Sequence, residues 1–239
     1  MSRLIALFLL FMPLPGCSWI SSPASHRASP PVFAGLPLLV DENFDKPSTQ
    51  WELNDPEAWK FTHDGDRTVL SLARNSSYKP PYRSPTGMAV LRDAIVSDFV
   101  LDAWVRSTKA DYPHRDMCLF FGYQDAARFY YAHFGLKSDN ASNTIHIVNN
   151  ADRRPIVKAR TDGTPWTDGY HHVRVVRKVA AGTIEVFFDD MTKPCMTAED
   201  KTFTWGRIGV GSFDDVGNVD RVILWGRKVG PPATRMVVP

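Results

Sequence analysis

The side chains best suited to chemistry lie at alternating positions of three short stretches. Between Asp98 and Arg106, Leu101, Ala103 and Val105 fall on one parity, and Asp102, Trp104 and Arg106 on the other. Between Phe129 and Phe134, Tyr131 and His133 share a parity opposite Tyr130, Ala132 and Phe134, and His146 opposes Ile145 and Ile147. In extended chain, alternate residues share a face. One reading therefore gathers Trp104, Arg106, Tyr131, His133 and His146 on a single surface. Phenol and imidazole can act as acid and base, and guanidinium binds carboxylates and hydroxyls. Two polar loops add to this set: Tyr112-Pro-His-Arg-Asp116 brings Arg115 and Asp116, and Gly122-Tyr-Gln-Asp125 brings Gln124 and Asp125. Asp214, Asp215, Asn218 and Asp220 crowd another turn, where hard oxygen ligands would suit Ca²⁺. The same residues also favour turns without any ion. His171 and His172 are adjacent, so in a strand they point apart and do not chelate together.

The elements that must carry these residues read as strands. Trp59 to Ala73, broken by Asp64-Gly-Asp66, reads as a hairpin. Strand signals follow over 98–106, 117–122, 129–134, 144–148, 172–177, 184–188, 208–212 and 221–225. No amphipathic helix of ten or more residues is evident, and Glu57-Ala-Trp-Lys60 is at most a turn. Many short strands with Gly, Pro and Asp turns predict an all-β sandwich of antiparallel sheets over 37–228, as one domain. The net charge is +2, with acids and bases interspersed, so nucleic acid is not an expected partner.

Particular motifs point to a family. Trp166-Thr-Asp-Gly-Tyr-His-His-Val-Arg-Val-Val-Arg-Lys178, followed by Thr183-Ile-Glu-Val-Phe-Phe-Asp-Asp190, resembles a strand pair of laminin-G-like and other concanavalin A-like domains. Asp41-Glu-Asn-Phe-Asp45 with Trp51 resembles the first strand of such domains. Gly206-Arg-Ile-Gly-Val-Gly-Ser-Phe-Asp-Asp215 with Asp220-Arg-Val-Ile-Leu-Trp-Gly226 resembles the closing strands. The whole is similar to exported sandwich proteins of polysaccharide-degrading bacteria, related to the 3-keto-disaccharide hydrolase domain.

The resemblance implies a concanavalin A-like jelly roll of two antiparallel sheets, facing oligo- or polysaccharide through the aromatic and His/Arg surface above. It implies that first and last strands pair, which would bring Asp45 toward Asp214, Asp215 and Asp220 around a structural Ca²⁺. The fold hosts lectins, hydrolases and lyases alike, so it does not name a reaction. The Glu-x-Asp-x-x-Glu pattern of laminarinase-type hydrolases is absent, because Glu42, Glu52, Glu57, Glu185 and Glu199 are not so spaced. Alginate-lyase motifs are absent too, although Tyr131, His133, His146, Arg106 and Gln124 supply the residue types a lyase uses. A glycan-active enzyme is the alternative to a binding protein, and a protein-binding envelope module is the second alternative. Asp189-Asp190 belongs to a turn.

Residues 1–17 read as an export signal. Arg3 precedes an apolar run from Leu4 to Leu14, too short for a spanning helix of about 20 residues. Leu14-Pro-Gly-Cys17 resembles a bacterial lipobox, with Pro15 where Ala, Ser or Thr is usual. Cys17 would carry the lipid and Ser18 would suit outer-membrane sorting, leaving only acyl chains in the membrane. Residues 18–36, rich in Ser, Pro and Ala, read as a tether, and 229–239 as an irregular tail. The two remaining cysteines, Cys118 and Cys195, make no disulfide framework, and Cys118 lies in an apolar run that suits burial.

Overall fold

Burial alternates residue by residue over His171–Lys178, whereas the strands of the middle of each sheet, such as Arg128–Gly135 and Gly217–Lys228, are buried on both faces along most of their length. A computed structural model describes residues 28–230. These form β1 (Val32–Phe33), β2 (Leu36–Glu42), β3 (Trp51–Leu53), β4 (Trp59–Asp64), β5 (Arg67–Leu72) and β6 (Gly87–Leu91). There follow β7 (Val96–Ser107), β8 (Asp116–Asp125), β9 (Arg128–Gly135), β10 (Thr144–Asn149), β11 (Arg154–Pro155) and β12 (Val157–Arg160). The rest are β13 (His171–Lys178), β14 (Thr183–Phe188), β15 (Met196–Glu199), β16 (Arg207–Ser212) and β17 (Gly217–Lys228). One 3-10 turn, Pro56–Ala58, stands where the sequence allows only a turn.

The strands make two antiparallel sheets. The ten-stranded sheet runs β1-β2-β17-β7-β13-β14-β15-β12, with the β4–β5 hairpin joined through β5 to β17. The seven-stranded sheet runs β11-β10-β9-β8-β16-β6-β3. First and last long strands pair as expected, with Ile223 opposite Asp41. Gly65, at φ +65, makes the tight turn that sets Asp64 opposite Arg67 in the expected hairpin.

The core lies between the sheets. Leu101, Ala103 and Val105 of β7 meet Met117, Leu119 and Phe121 of β8, and Phe99 and Phe121 touch edge to face with centroids 5.9 Å apart. Tyr130, Ala132 and Phe134 of β9 point inward with Ile145 and Ile147 of β10. The alternation read from the sequence therefore assigns the inward face correctly on all three strands.

Several elements depart from expectation. Strand pairing begins at Val32, inside the segment read as tether, since Val32 and Phe33 pair with Pro37 and Leu36. β2 ends at Glu42, and Phe44 takes φ 58 while burying its ring, which turns the chain away before Asp45. β6 has no alternating signal, and β12 and β15 are four-residue alternations not singled out in the sequence. β6 is buried along its whole length, and β12 exposes its two middle residues. Cys118 is buried and Cys195 half-buried, and both are free thiols. The stretch 1–27, which holds Cys17 and most of the proposed tether, lies outside the described residues, as does the tail from 231.

Leu101 is fully buried at the centre of the core. Leu101→Ala is expected to lower stability by about 2–5 kcal/mol, read from the midpoint of urea unfolding.

Candidate functional site

Register builds the most chemically loaded region of the molecule. On the outer face of the seven-stranded sheet, Cys118 stands opposite His133, and Phe120 opposite Tyr131. Tyr131 in turn stands opposite His146. The Tyr131 and His146 rings stack at 4.8 Å and 14°. Asp116, at the start of β8, shares this face and is completely buried.

Asp116 is held from four directions. Ser212 Oγ donates to it at 2.8 Å, the Phe213 N–H at 3.1 Å and the Cys118 thiol at 3.2 Å. His133 Nε2 lies 3.0 Å from its Oδ2. The other nitrogen of His133, Nδ1, is 2.7 Å from the Ala141 carbonyl, which only accepts, so Nδ1 carries a proton. Burial opposes ionisation of Asp116, but the His133 charge and the donors outweigh it and hold the carboxyl below the usual range. His146 has no such help. Burial, then the charges of His133 and Arg153, push its pKa down to about 2, so the ring is neutral.

Above this layer the chain presents a partly exposed rim. Arg153 Nη1 donates to the Tyr131 hydroxyl at 2.9 Å, and its guanidinium lies 3.9 Å from the centre of the half-buried Phe213 ring. Asp214 is exposed beside it, and Tyr112 is half-buried with Lys109 over its ring at 6.0 Å. Asp215 turns back inward, accepting the Asp116 N–H at 3.2 Å, with Lys109 3.7 Å from its other oxygen. Burial and the Asp116 charge push Asp215 up to about 6 and raise Asp214 in the same direction. Asp116, Asp214 and Asp215 each offer an oxygen within 4.8 Å of the others, a donor type that suits Ca²⁺.

The sequence-derived cluster therefore divides. Tyr131, His133 and His146 do converge, with Asp116. Trp104 and Arg106 instead lie on the outer face of the ten-stranded sheet, on the opposite side of the sandwich. There Trp104 stacks on His172 at 4.2 Å, and Arg106 binds Asp64 at 2.8 Å. Alternation tells inward from outward, but not which of two outward faces a strand serves. Arg115 is a buried staple that donates to the Ser107 and Thr167 carbonyls, both at 2.8 Å. Gln124 and Asp125 sit at the far end of β8 from Asp116, where Gln124 binds the Trp205 carbonyl and Asp125 caps a turn with Ala127 and Arg128.

The acidic set changes as well. Asp220 is paired with Arg67 at 2.7 Å, and exposed Asp45 is engaged by Asn43, so neither joins Asp214 and Asp215. Asp116 takes their place. His171 and His172 do diverge: His171 is buried against Trp166 and Phe188, while His172 faces Asp102. Phe213 and Arg153 were not singled out in the sequence; Arg153 follows an unremarkable Ala-Asp pair and carries no motif.

Two antiparallel sheets closed by pairing of the first and last long strands define a concanavalin A-like jelly-roll sandwich. The chain is similar to the carbohydrate-binding module CBM66 from Bacillus subtilis at TM-score 0.55 and 13% identity, over 74% of this chain and 96% of that one. It is similar to a galectin-like protein of unknown function, also from Bacillus subtilis, at TM-score 0.53 and 10% identity, over 81% and 97%. The metal-free lectin I-B4 from Griffonia simplicifolia gives TM-score 0.53 and 11% identity, over 79% and 100%. At these identities the likeness establishes the fold. No family model matches the sequence, and no curated protein matches it either.

Because the folded pKa of His146 lies near 2 against an ordinary 6.5, the unfolded chain binds a proton that the folded one refuses between those values. Stability should fall as pH drops below about 6.5, at roughly 1.4 kcal/mol per pH unit from this one group. His146→Gln should flatten that slope in urea titrations between pH 6.5 and 4. Parallel profiles for variant and parent would refute the assignment.

Proposed function

We propose that the protein binds oligo- or polysaccharide through the rim formed by Phe213, Arg153, Tyr112 and Asp214. The observation that carries this reading is the placing of half-exposed aromatic rings beside a guanidinium and an exposed carboxylate. Aromatic faces stack on the apolar faces of pyranose rings, while Arg and Asp bind ring hydroxyls. The fold shared with a carbohydrate-binding module and a lectin supports it. Tyr131, His133, His146 and Asp116 lie beneath the rim and fix it in place.

A glycan-active enzyme is the second reading. It draws on Tyr131, whose hydroxyl meets Arg153, and on the His133–Asp116 pair. These side chains are buried, with His133 only 3% exposed and Tyr131 and Asp116 at 0%, so binding at the rim takes precedence. A structural calcium would draw on Asp214 and Asp215, since Asp116 is already surrounded by donors.

Export and lipidation at Cys17, with the domain held at the bacterial outer membrane or cell surface, complete the proposal. No helix among the described residues is long and apolar enough to cross a membrane.

The chain from Ser18 onward, tested against a polysaccharide panel, should bind at least one glycan without releasing products. Phe213→Ala and Arg153→Ala should each weaken that binding about tenfold, by calorimetry, with little change in melting temperature. New reducing ends would favour a hydrolase, an unsaturated-uronate absorbance a lyase, and no binding to any glycan the protein-partner reading. Cys17→Ser should move the full chain from the membrane pellet to the soluble fraction of expressing cells.

A further inference from the structure

Beneath the rim, three donor atoms of different chemistry converge on one point. Asp116 Oδ2 lies 3.0 Å from His133 Nε2 and 3.2 Å from Cys118 Sγ. All three candidate ligand atoms lie within 4.8 Å of one another, and the residues are 0% (Asp116), 0% (Cys118) and 3% (His133) exposed. A tetrahedral zinc ion with bonds of about 2.0–2.3 Å separates its ligands by roughly 3.3–3.8 Å. The two separations from Asp116 Oδ2, 3.0 and 3.2 Å, lie within a few tenths of an ångström of that spacing.

His133 supplies the independent observation. Its Nδ1–H is committed to the Ala141 carbonyl, so Nε2 is the only ring atom left to meet the carboxylate. That nitrogen is buried, aimed at the carboxylate, and makes no hydrogen bond of acceptable geometry despite the 3.0 Å approach. A lone pair facing a carboxylate oxygen requires a cation between them, either a proton or a metal ion. A backbone carbonyl on the remote nitrogen is also how metal-binding imidazoles are commonly oriented. Ser212 Oγ plays the same part for Asp116, donating to its other oxygen.

We propose that Asp116, Cys118 and His133 form a Zn²⁺ site. Nitrogen, sulfur and a single carboxylate oxygen suit zinc far better than calcium, which takes six to eight oxygens. The site is separate in chemistry from the Asp214 and Asp215 carboxylates suited to calcium, and it does not depend on glycan binding. Zinc displaces the Cys118 proton on binding, so uptake releases acid to the buffer. Burial, with Asp116 next to it, keeps that thiol protonated until the metal arrives.

The test uses the full chain, purified without an affinity tag, stripped with EDTA and dialysed. Zn²⁺, Co²⁺ or Ca²⁺ is then added separately. Metal content by atomic emission should reach one Zn²⁺ per chain, with a raised melting temperature. Co²⁺ should give a near-ultraviolet thiolate-to-metal band that Ca²⁺ does not produce. Cys118→Ser, a near-isosteric change, should abolish the band and weaken Zn²⁺ binding at least about tenfold. Asp125→Asn, at the far end of β8, should change neither. Substoichiometric Zn²⁺, Co²⁺ binding without the band, or undiminished Zn²⁺ affinity in Cys118→Ser would overturn the proposal and leave a proton between His133 and Asp116. A glycan panel run on zinc-loaded and stripped protein separates this result from the binding proposal, since either can fail alone.

Discussion

A carboxylate buried without solvent must be met by donors, and Asp116 is where that requirement shapes the molecule. Removing an ionised carboxyl from water costs several kcal/mol unless partners surround it. Here the partners come from β8, β9, the end of β16 and the turn after it. Ser212 Oγ donates to Asp116 and accepts the Asp215 N–H at 2.9 Å. That pair of bonds fixes the 212–215 turn, so Phe213 is carried outward, Asp214 exposed and Asp215 folded back. The rim is therefore a consequence of satisfying one buried charge.

A second constraint acts on the same face. Met88, Val90, Phe120, Phe129, Tyr131 and Val148 would form an apolar patch on the outside of the seven-stranded sheet. Tyr82 and Tyr123 pack against it, and the strap carrying Tyr82 is tied down by backbone bonds of Arg83 to Asp152 and Arg153. Outward on a strand is thus not the same as exposed. The open aromatic surface expected of a sheet face moves to its loop end, where Phe213 and Tyr112 stand.

This is also the boundary of what the sequence revealed. Alternation assigned inward and outward faces correctly on β7, β9 and β10, because the two-residue period is enforced by the pleat itself. The β13–β14 pair and the pairing of β2 with β17 were visible through family motifs. Trp104 and Arg106 were joined to Tyr131 and His133 because a period carries no record of which sheet a strand enters. Asp45 was drawn to Asp214 by strand pairing alone, and the positive φ of Phe44 leaves no trace in composition. Phe213 and Arg153 become neighbours only through strands sixty positions apart in the chain.

The two outer faces differ in how completely they satisfy themselves, and that difference favours one of them as functional. On the ten-stranded sheet the charges are matched: Asp102 with Arg174, Asp64 with Arg106, Asp220 with Arg67 and Asp41 with Arg221. A face so paired has little left to offer a ligand without breaking its own bonds. Beneath the rim the opposite holds. Among the described residues, ten buried side-chain polar atoms lack a hydrogen-bond partner, and five of them belong to His133, Ser142, Asn143, Thr144 and His146. Native interiors rarely leave such groups unmet, and where they cluster a ligand, ion or ordered water usually completes them. Unspent donors and acceptors on β9, the start of β10 and the turn before it are what the proposed binding on the seven-stranded side would put to use.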